Sequence, residues 1–91
     1  MKHITILEQA RDNIDKIDDK IVGLLAKRKE CSITVGKFKK KNGLAIRQPS
    51  REKQILRQRM EQAKKLRINP KFIKTLFAII FTDSRNIQKK G

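Results

Sequence analysis

The chain has 91 residues, and its 24 Lys and Arg against nine Asp and Glu give a formal net charge of +15. A chain of this length predicts a single domain, residues 1–91, and its one cysteine excludes an internal disulfide framework and favours the reducing cytoplasm. The longest apolar run, six residues from Leu76 to Phe81, is far short of the ~20 that a membrane span requires, and we expect neither a signal peptide nor a membrane partner.

The first predicted element is a long helix over roughly residues 6 to 42. Thr5 and Glu8 have the spacing of a capping box, in which Thr5 is the N-cap. Apolar or small residues then recur at alternating steps of three and four from Leu7 to Phe38, which is the period of long helical bundles. Asn42-Gly43 ends the pattern, because both residue types tolerate the left-handed conformation that follows a helix.

The second predicted helix follows a loop at residues 43–49. Ser50 is its expected N-cap, since a serine side chain can accept a hydrogen bond from the first turn. Apolar residues from Ile55 to Leu66 recur at helical spacing, and we expect the helix to end near Leu66 or Arg67.

The third predicted helix begins at Asn69-Pro70, which has the pattern of an N-cap followed by proline at the first helical position. Its apolar stripe runs from Ile73 through Phe81, and we expect the last residues, 89–91, to fray. Because the sequence contains no strand pattern, it predicts an all-α fold of three helices.

The length of the first helix indicates a second copy of the chain. At 1.5 Å per residue it would be about 55 Å long, whereas a compact domain of this size is only about 30 Å across. Part of its apolar stripe would therefore lie in water unless an antiparallel copy covered it. We expect a two-fold homodimer, the commonest soluble oligomer; the alternative is a long helix that is partly disordered alone.

Polar residues occupy several positions where the helical pattern calls for apolar ones. Arg28 lies within the apolar series of the first helix, and Lys39 leaves the same face about 16 Å further along. The gap between them would suit a small carboxylate-bearing molecule, unless both side chains simply extend to solvent. Ser84 and Gln88 continue the stripe of the third helix and offer uncharged hydrogen-bonding groups, unless the stripe has ended there.

Arg11 lies about 25 Å from Arg28 along one helix, so a single chain cannot bring both to one small ligand. An antiparallel dimer can do so if its helices cross near residue 22, where Gly23 permits close backbone approach. The second helix opens with Arg51 and Glu52. The helix dipole favours the glutamate there and disfavours the arginine, which suggests a role for Arg51 elsewhere.

The sequence contains no set of metal ligands, no nucleophile–base pair and no glycine-rich phosphate loop. Its one histidine, His3, and its one cysteine, Cys31, lie far apart along the chain. We therefore expect no metal and no cofactor, and any chemistry would depend on placed charges and hydrogen bonds.

Together these features resemble the all-helical class of chorismate mutase, most closely the mutase domain at the N-terminus of bifunctional aromatic-biosynthesis enzymes. The resemblance extends from about Leu7 to Gln88, and because the sequence stops at Gly91 we expect no dehydratase or dehydrogenase part. The residues that carry it are Ile14 to Asp18, Leu24 to Arg28, Val35 to Lys39, Arg51-Glu52, and Phe77 with Ile80 and Asp83-Ser84. It implies an intertwined homodimer of three-helix chains with two active sites.

The implied reaction is the Claisen rearrangement of chorismate to prephenate, in phenylalanine and tyrosine biosynthesis. The resemblance implies that Arg28 and Arg11 of the partner subunit pair with the two carboxylates of the substrate. Lys39 would donate to a carboxylate and to the ether oxygen, and Gln88 to the same ether oxygen. Lys39, Gln88 and Arg28 are thus the implied catalytic residues, and such a reaction requires no metal or cofactor.

Four further substrate-binding residues are implied by the same resemblance. Glu52 would accept a hydrogen bond from the ring hydroxyl, Ser84 and Arg51 would support the carboxylate and the charge of the site, and Gln48 would act mainly through its backbone.

The sequence also departs from the family pattern at several positions. Gln48 stands where family members often have Asp, and Gln88 stands where some relatives have a Glu that must be protonated. Phe81 and Arg85 replace smaller aliphatic residues, and Arg85 would either crowd the site or add a cation to it.

Two other functions compete with this interpretation. Isochorismate pyruvate lyase shares the fold and similar cations, although Arg47 with Arg51 and Glu52 favours the mutase. A basic helical nucleic-acid-binding protein would suit the charge, but the chain has no Trp or Tyr and only four Phe for base stacking. Such a protein also gives no reason for Ser84 and Gln88 to continue an apolar stripe, so we expect no nucleic-acid partner.

Overall fold

The computed structural model describes the backbone of residues 2–90 and the side chains of residues 5–90. Three helices follow one another along the chain: α1 (Lys2–Lys41), α2 (Pro49–Lys65) and α3 (Pro70–Lys90). No strand occurs between residues 2 and 90, and the prediction of an all-α chain of three helices is confirmed. Of these three helices, none is both long enough and apolar enough to cross a membrane.

The chain divides into two compact units, of which the first ends at Cys31 and the second begins at Ser32. Helix α1 contributes to both units, whereas α2 and α3 belong to the second. The prediction of one domain over residues 1–91 stays a prediction.

Two of the three predicted helix starts are wrong. Helix α1 begins at Lys2, so Thr5 lies inside the helix and is not its N-cap. No glycine or proline precedes Thr5, and each residue added to an existing helix adds a backbone hydrogen bond. Helix α2 has Gln48 as its N-cap and Pro49 at its first position, ahead of the predicted cap Ser50. Proline suits that position because its fixed φ is already helical and it has no N–H to leave unpaired.

The start of α3 agrees with the sequence. Asn69 precedes Pro70, and the Asn69 side-chain oxygen Oδ1 accepts a hydrogen bond from the backbone N–H of Lys71 at 3.0 Å. This is the usual N-cap bond to the second helical residue. At the other end the helix continues through Lys90, and Gly91 lies outside the described residues. The expected fraying of residues 89–91 stays a prediction.

Each connection between helices has a residue at positive φ at its second position. Gly43 has φ +64, two residues after the end of α1, and the N–H of Leu44 donates to the carbonyl oxygen of Lys39 at 2.8 Å. This bond satisfies one of the carbonyl groups that the helix end leaves unpaired, which is why the chain turns where the sequence predicted. Arg67 takes the corresponding position after α2, with φ 60, so α2 ends close to the predicted Leu66 or Arg67.

In the second unit, α2 and α3 pack against each other through their apolar faces. Ala63 of α2 and Phe81 of α3 are buried, and the rings of Phe77 and Phe81 meet edge to face with centroids 6.0 Å apart. Half-buried apolar side chains surround them: Ile55, Leu56, Met60, Ile73 and Ile80. This packing fixes the face of α3 whose next turns carry Ser84 and Gln88, both of which are buried. The prediction that these two polar residues continue the buried stripe is confirmed.

The apolar series of the first unit is exposed. Five of its side chains are between 48% and 62% exposed: Leu7, Ile14, Ile17, Ile21 and Leu24. Exposed single apolar residues are common on protein surfaces, but a continuous apolar series usually marks an interaction surface. The expectation that part of the α1 stripe lies uncovered within one chain is therefore confirmed.

In the second unit, α1 buries a different face from the one its apolar series marks. Ser32 and Gly36 are buried and Lys39 is half-buried, at the i, i+4, i+7 spacing of one helix face. The neighbouring members of the apolar series are exposed: Cys31, Val35 and Phe38. The part of α1 that packs against its own chain is thus a row of small and polar residues.

Gly36 lets α1 approach α3 closely. A Cβ atom built at Gly36 would lie 2.8 Å from the Cα atom and 3.0 Å from the carbonyl oxygen of Gln88. These are backbone atoms of a helix, so they cannot rotate away as a flexible side chain would.

We therefore expect Gly36→Ala to destabilise the protein. Alanine would gain up to ~1 kcal/mol of helix propensity, but overpacking at a backbone contact typically costs ~1–3 kcal/mol. A lower thermal unfolding midpoint, with helical circular dichroism retained below it, is the expected result. A midpoint that stays equal to wild type or rises would mean that the two helices can separate without loss, contrary to the close contact.

Candidate functional site

Lys39 and Gln88 form the centre of a polar cluster in the second unit. The Lys39 ammonium nitrogen Nζ donates to the Gln88 side-chain oxygen Oε1 at 2.9 Å and to the carbonyl oxygen of Ile46 at 2.7 Å. Lys39 is half-buried and Gln88 is only 8% exposed. The alternative that Lys39 simply extends into solvent is therefore wrong, and one of the three ammonium hydrogens is left for a ligand.

The contact with Lys39 also fixes what Gln88 can offer. An ammonium group can only donate, so the amide of Gln88 must turn its oxygen toward Lys39. The amide nitrogen, with two hydrogens, is then the group that Gln88 can present to a ligand. Lys39 and Gln88 together supply one cationic and one neutral donor, side by side and largely shielded from water.

A pair of serines lies earlier on the same two helices, Ser32 about two turns before Lys39 and Ser84 about one turn before Gln88. The Ser32 hydroxyl donates to the Ser84 hydroxyl oxygen at 3.4 Å, and both residues are buried. The sequence analysis identified Ser84 but missed Ser32. The signal was present: Ser32, Gly36 and Lys39 share one face, and a small or polar row opposite Ser84 and Gln88 indicates a polar lining.

Glu52 is held by an arginine that sequence analysis did not connect with it. The Arg85 guanidinium nitrogen Nη1 donates to both Glu52 carboxylate oxygens at 2.7 Å, and each of the two side chains is 22% exposed. The residues are 33 positions apart, on α2 and α3, so no local pattern relates them. Arg85 therefore adds a cation that is already paired with Glu52.

Gln48 and Arg51 lie at the start of α2. Gln48 is the N-cap without a side-chain cap bond, and its carbonyl oxygen accepts the backbone N–H of Glu52 at 3.0 Å. If the backbone of Gln48 contacts a ligand, its N–H is therefore the group expected to do so. Arg51 is exposed and donates to the Gln54 side-chain oxygen at 3.0 Å, along the surface of the same helix.

The remaining predicted site residues, Arg11 and Arg28, belong to the first unit. Arg11 is exposed and Arg28 is half-buried. The second unit thus brings Lys39 and Gln88 into contact, while the convergence of Arg11 and Arg28 on the same ligand stays a prediction.

The chemistry available in the second unit is that of an anion site with hydrogen-bond donors. Lys39 carries the positive charge at the cluster, Gln88 adds a neutral donor, and the carboxylate of Glu52 is offset by Arg85. Such preorganised donors in a shielded site stabilise negative charge that develops on a bound molecule.

Comparison with known proteins identifies relatives over most of the chain. Residues 10–89 match the family model "Chorismate mutase type II". The chain is 38% identical over 80 residues to the bifunctional chorismate mutase/prephenate dehydratase of Buchnera aphidicola subsp. Baizongia pistaciae (strain Bp), covering 88% of this chain and 22% of that protein. It is 36% identical over 78 residues to the T-protein of Enterobacter agglomerans, covering 86% of this chain and 21% of that protein. It is 32% identical over 74 residues to the bifunctional chorismate mutase/prephenate dehydratase of Escherichia coli (strain K12), covering 81% of this chain and 19% of that protein. The chain spans about a fifth of the length of these curated relatives.

Proposed function

The chain belongs to the chorismate mutase type II family, and we propose on this basis that it catalyses the rearrangement of chorismate to prephenate. In this reaction the ether C–O bond of the enolpyruvyl arm breaks while a C–C bond forms to the ring. Substrate and product are isomers, so no atom, proton or electron is supplied from outside. The enzyme would thus be an isomerase of aromatic amino acid biosynthesis.

The observation that carries this proposal is the contact between Lys39 and Gln88. Negative charge grows on the ether oxygen as its bond to the ring breaks, and a donor placed there stabilises the transition state more than the ground state. The free ammonium hydrogen of Lys39 and the amide nitrogen of Gln88 are two such donors. Holding the flexible arm against the ring supplies a further part of the rate, since it removes the entropy of finding the reactive shape.

The other residues of the site would bind and orient the substrate. Arg28 and Arg11 of the partner subunit would pair with its two carboxylates, and Lys39 would also donate to one of them. Ser84 would support the same carboxylate, and Glu52 would accept from the ring hydroxyl.

Two residues at the start of α2 complete the proposed site. Gln48 would contribute through its backbone N–H, and Arg51 would add positive charge near the dianionic substrate. The chain carries +15 in total, which would also attract such a substrate over longer distances.

A homodimer with shared active sites is part of the proposal. The exposed apolar series of α1 in the first unit supports it, because an antiparallel copy would cover that stripe. Gly23 supports the crossing point, since a Cβ atom built there meets nothing within 4 Å in one chain and leaves room for a second backbone. A cytoplasmic location is proposed with it.

The shared site predicts complementation between two inactive variants. Arg11→Ala and Arg28→Ala homodimers should each lose most activity, because each lacks one carboxylate partner in both sites. In a mixed dimer, one site carries both substitutions and the other carries neither. Mixing the unfolded chains and refolding them should therefore restore activity, up to half of the wild-type value per heterodimer.

The control for this experiment is each variant refolded alone, and the heterodimer is verified by differently tagged chains. A verified heterodimer without recovered activity would contradict the assignment of Arg11 to the site of the partner subunit.

The test of the proposed function is direct. Incubation with chorismate should show loss of its absorbance with formation of prephenate, and incubation with isochorismate should release no pyruvate. Pyruvate release without prephenate would favour the lyase, and a protein that leaves chorismate unchanged while binding DNA or RNA with steep salt dependence would favour the nucleic-acid binder.

A further inference from the structure

We propose that Arg85 is a positioning residue that lets a carboxylate, Glu52, serve a dianionic substrate, an inference that rests on the proposed mutase function. Arg85 does not act on the substrate itself. It holds Glu52 in one orientation and offsets the negative charge that Glu52 would otherwise present to the two carboxylates of the substrate.

The first observation is the geometry of the contact. One guanidinium nitrogen of Arg85 lies 2.7 Å from each carboxylate oxygen of Glu52, and the second terminal nitrogen donates to the Thr82 hydroxyl at 3.2 Å. The Thr82 hydroxyl in turn donates to the carbonyl oxygen of Ala78 at 3.1 Å. The guanidinium is therefore fixed to α3 at one end and fixes a side chain of α2 at the other.

The second observation is that this pair differs from an ordinary surface ion pair. The pair between Lys64 and Glu61 lies within α2, has an N–O distance of 3.3 Å and leaves both side chains 61% exposed. The pair between Arg85 and Glu52 joins two helices, is shorter and leaves each side chain 22% exposed. Exposed pairs contribute little because water screens them and the side chains stay mobile, whereas this pair is partly shielded.

The third observation is that Glu52 can still accept a hydrogen bond from a ligand. Each carboxylate oxygen can accept more than one hydrogen bond, so the contact with Arg85 leaves Glu52 able to accept from a hydroxyl group. The pair borders a cleft between α2 and α3 whose wall also includes Arg47, Phe81 and Thr82. Glu52 thus keeps the capacity to accept a hydrogen bond while its charge is balanced.

These contacts also balance the charge of Glu52. A carboxylate is a strong acceptor for a ring hydroxyl. A carboxylate whose charge is not balanced by a cation would, however, repel a doubly negative substrate close to it. A neutral acceptor would avoid the repulsion at the expense of a weaker hydrogen bond. Pairing Glu52 with Arg85 keeps the strong acceptor and removes most of the repulsion, which acts on binding of the substrate more than on the bond that breaks.

The test is a comparison of kcat and KM for chorismate in the full chain. Arg85→Met removes the charge at similar length. We expect KM to rise about tenfold, because the unbalanced carboxylate of Glu52 would then repel the dianionic substrate, with kcat changed less than about threefold. Arg85→Lys keeps the charge but loses the tether to Thr82, and should raise KM only about threefold. Lys64→Met is the matched control, because it removes one charge of the exposed pair on α2, and its KM should stay within about twofold of wild type.

Coupling through Glu52 is tested by repeating the comparison in a Glu52→Gln background. Glutamine keeps an acceptor but has no charge to balance, so the KM penalty of Arg85→Met should shrink from about tenfold to below threefold. An equal increase of KM in the two backgrounds would overturn the inference. So would an Arg85→Met protein with a lower thermal unfolding midpoint but an unchanged KM, because the contact would then only stabilise the fold. If Arg85→Met does not fold, Arg85→Gln, which also removes the charge, takes its place in the same comparison.

The wild-type measurement separates this inference from the proposed function. A wild-type protein that leaves chorismate unchanged overturns both. An active wild-type protein whose KM is unaffected by Arg85→Met overturns the role of Arg85 alone.

Discussion

Lys39→Ala should lower kcat for chorismate at least about 100-fold, the usual effect of removing one preorganised donor to a developing oxyanion. The substitution removes the charged donor that contacts Gln88, and it removes the ammonium hydrogen proposed to reach the ether oxygen. It also leaves Gln88 without the partner that orients its amide. Steady-state kinetics with purified protein, accompanied by circular dichroism, measures the effect.

Lys40→Ala is the matched control for this substitution. Lys40 is the next residue of the same helix, carries the same charge and is exposed. Its removal should change kcat less than about twofold, since an exposed charge is screened by water. Near-wild-type turnover in Lys39→Ala would refute the assigned role of Lys39.

Gln88→Glu should turn a pH-insensitive donor into a pH-dependent one. The wild-type amide has no proton that titrates, so wild-type activity should persist through neutral pH. A carboxylate at position 88 cannot donate, and the ammonium of Lys39, 2.9 Å from the present amide oxygen, would stabilise its ionised form. We expect kcat at neutral pH to fall about 100-fold and to rise as the pH is lowered, because protonation restores an O–H donor.

Gln88→Leu separates this effect from a general loss of packing. Leucine offers no donor at any pH, so its activity should be low without recovery in acid. A Gln88→Glu enzyme with the flat profile of wild type, or a wild-type enzyme active only in acid, would contradict the role of the neutral amide.

Local sequence rules predicted the helices well because their causes lie within a few residues. Asn69 and Pro70 start α3, and Gly43 turns the chain just after α1 at positive φ, as their residue types require. The burial of Ser84 and Gln88 followed from the periodicity of the apolar residues before them. The start of α2 was wrong because two start signals, Pro49 and Ser50, stand side by side. The start of α1 was wrong because nothing before Thr5 interrupts the helix.

The contacts that build the site depend on chain positions far apart, and no local pattern encodes them. Glu52 and Arg85 meet because α2 and α3 pack at one particular register. From the sequence alone, Gly36 is only a residue of low helix propensity. The structure shows that it allows the backbone of Gln88 to lie close to α1. The apolar series of α1 did not predict which face packs within the second unit, because the residues of that face are small and polar.

The hydrogen bond from Lys39 to Ile46 has a consequence for how the connection between α1 and α2 can vary. The acceptor is a main-chain oxygen, which every amino acid carries, so exchange of the isoleucine leaves it in place. An inserted or deleted residue between Gly43 and Pro49 would instead move that oxygen away from the ammonium group. We therefore expect this segment to tolerate changes of composition better than changes of length, and libraries built on it should vary the residue types while the number of residues is kept.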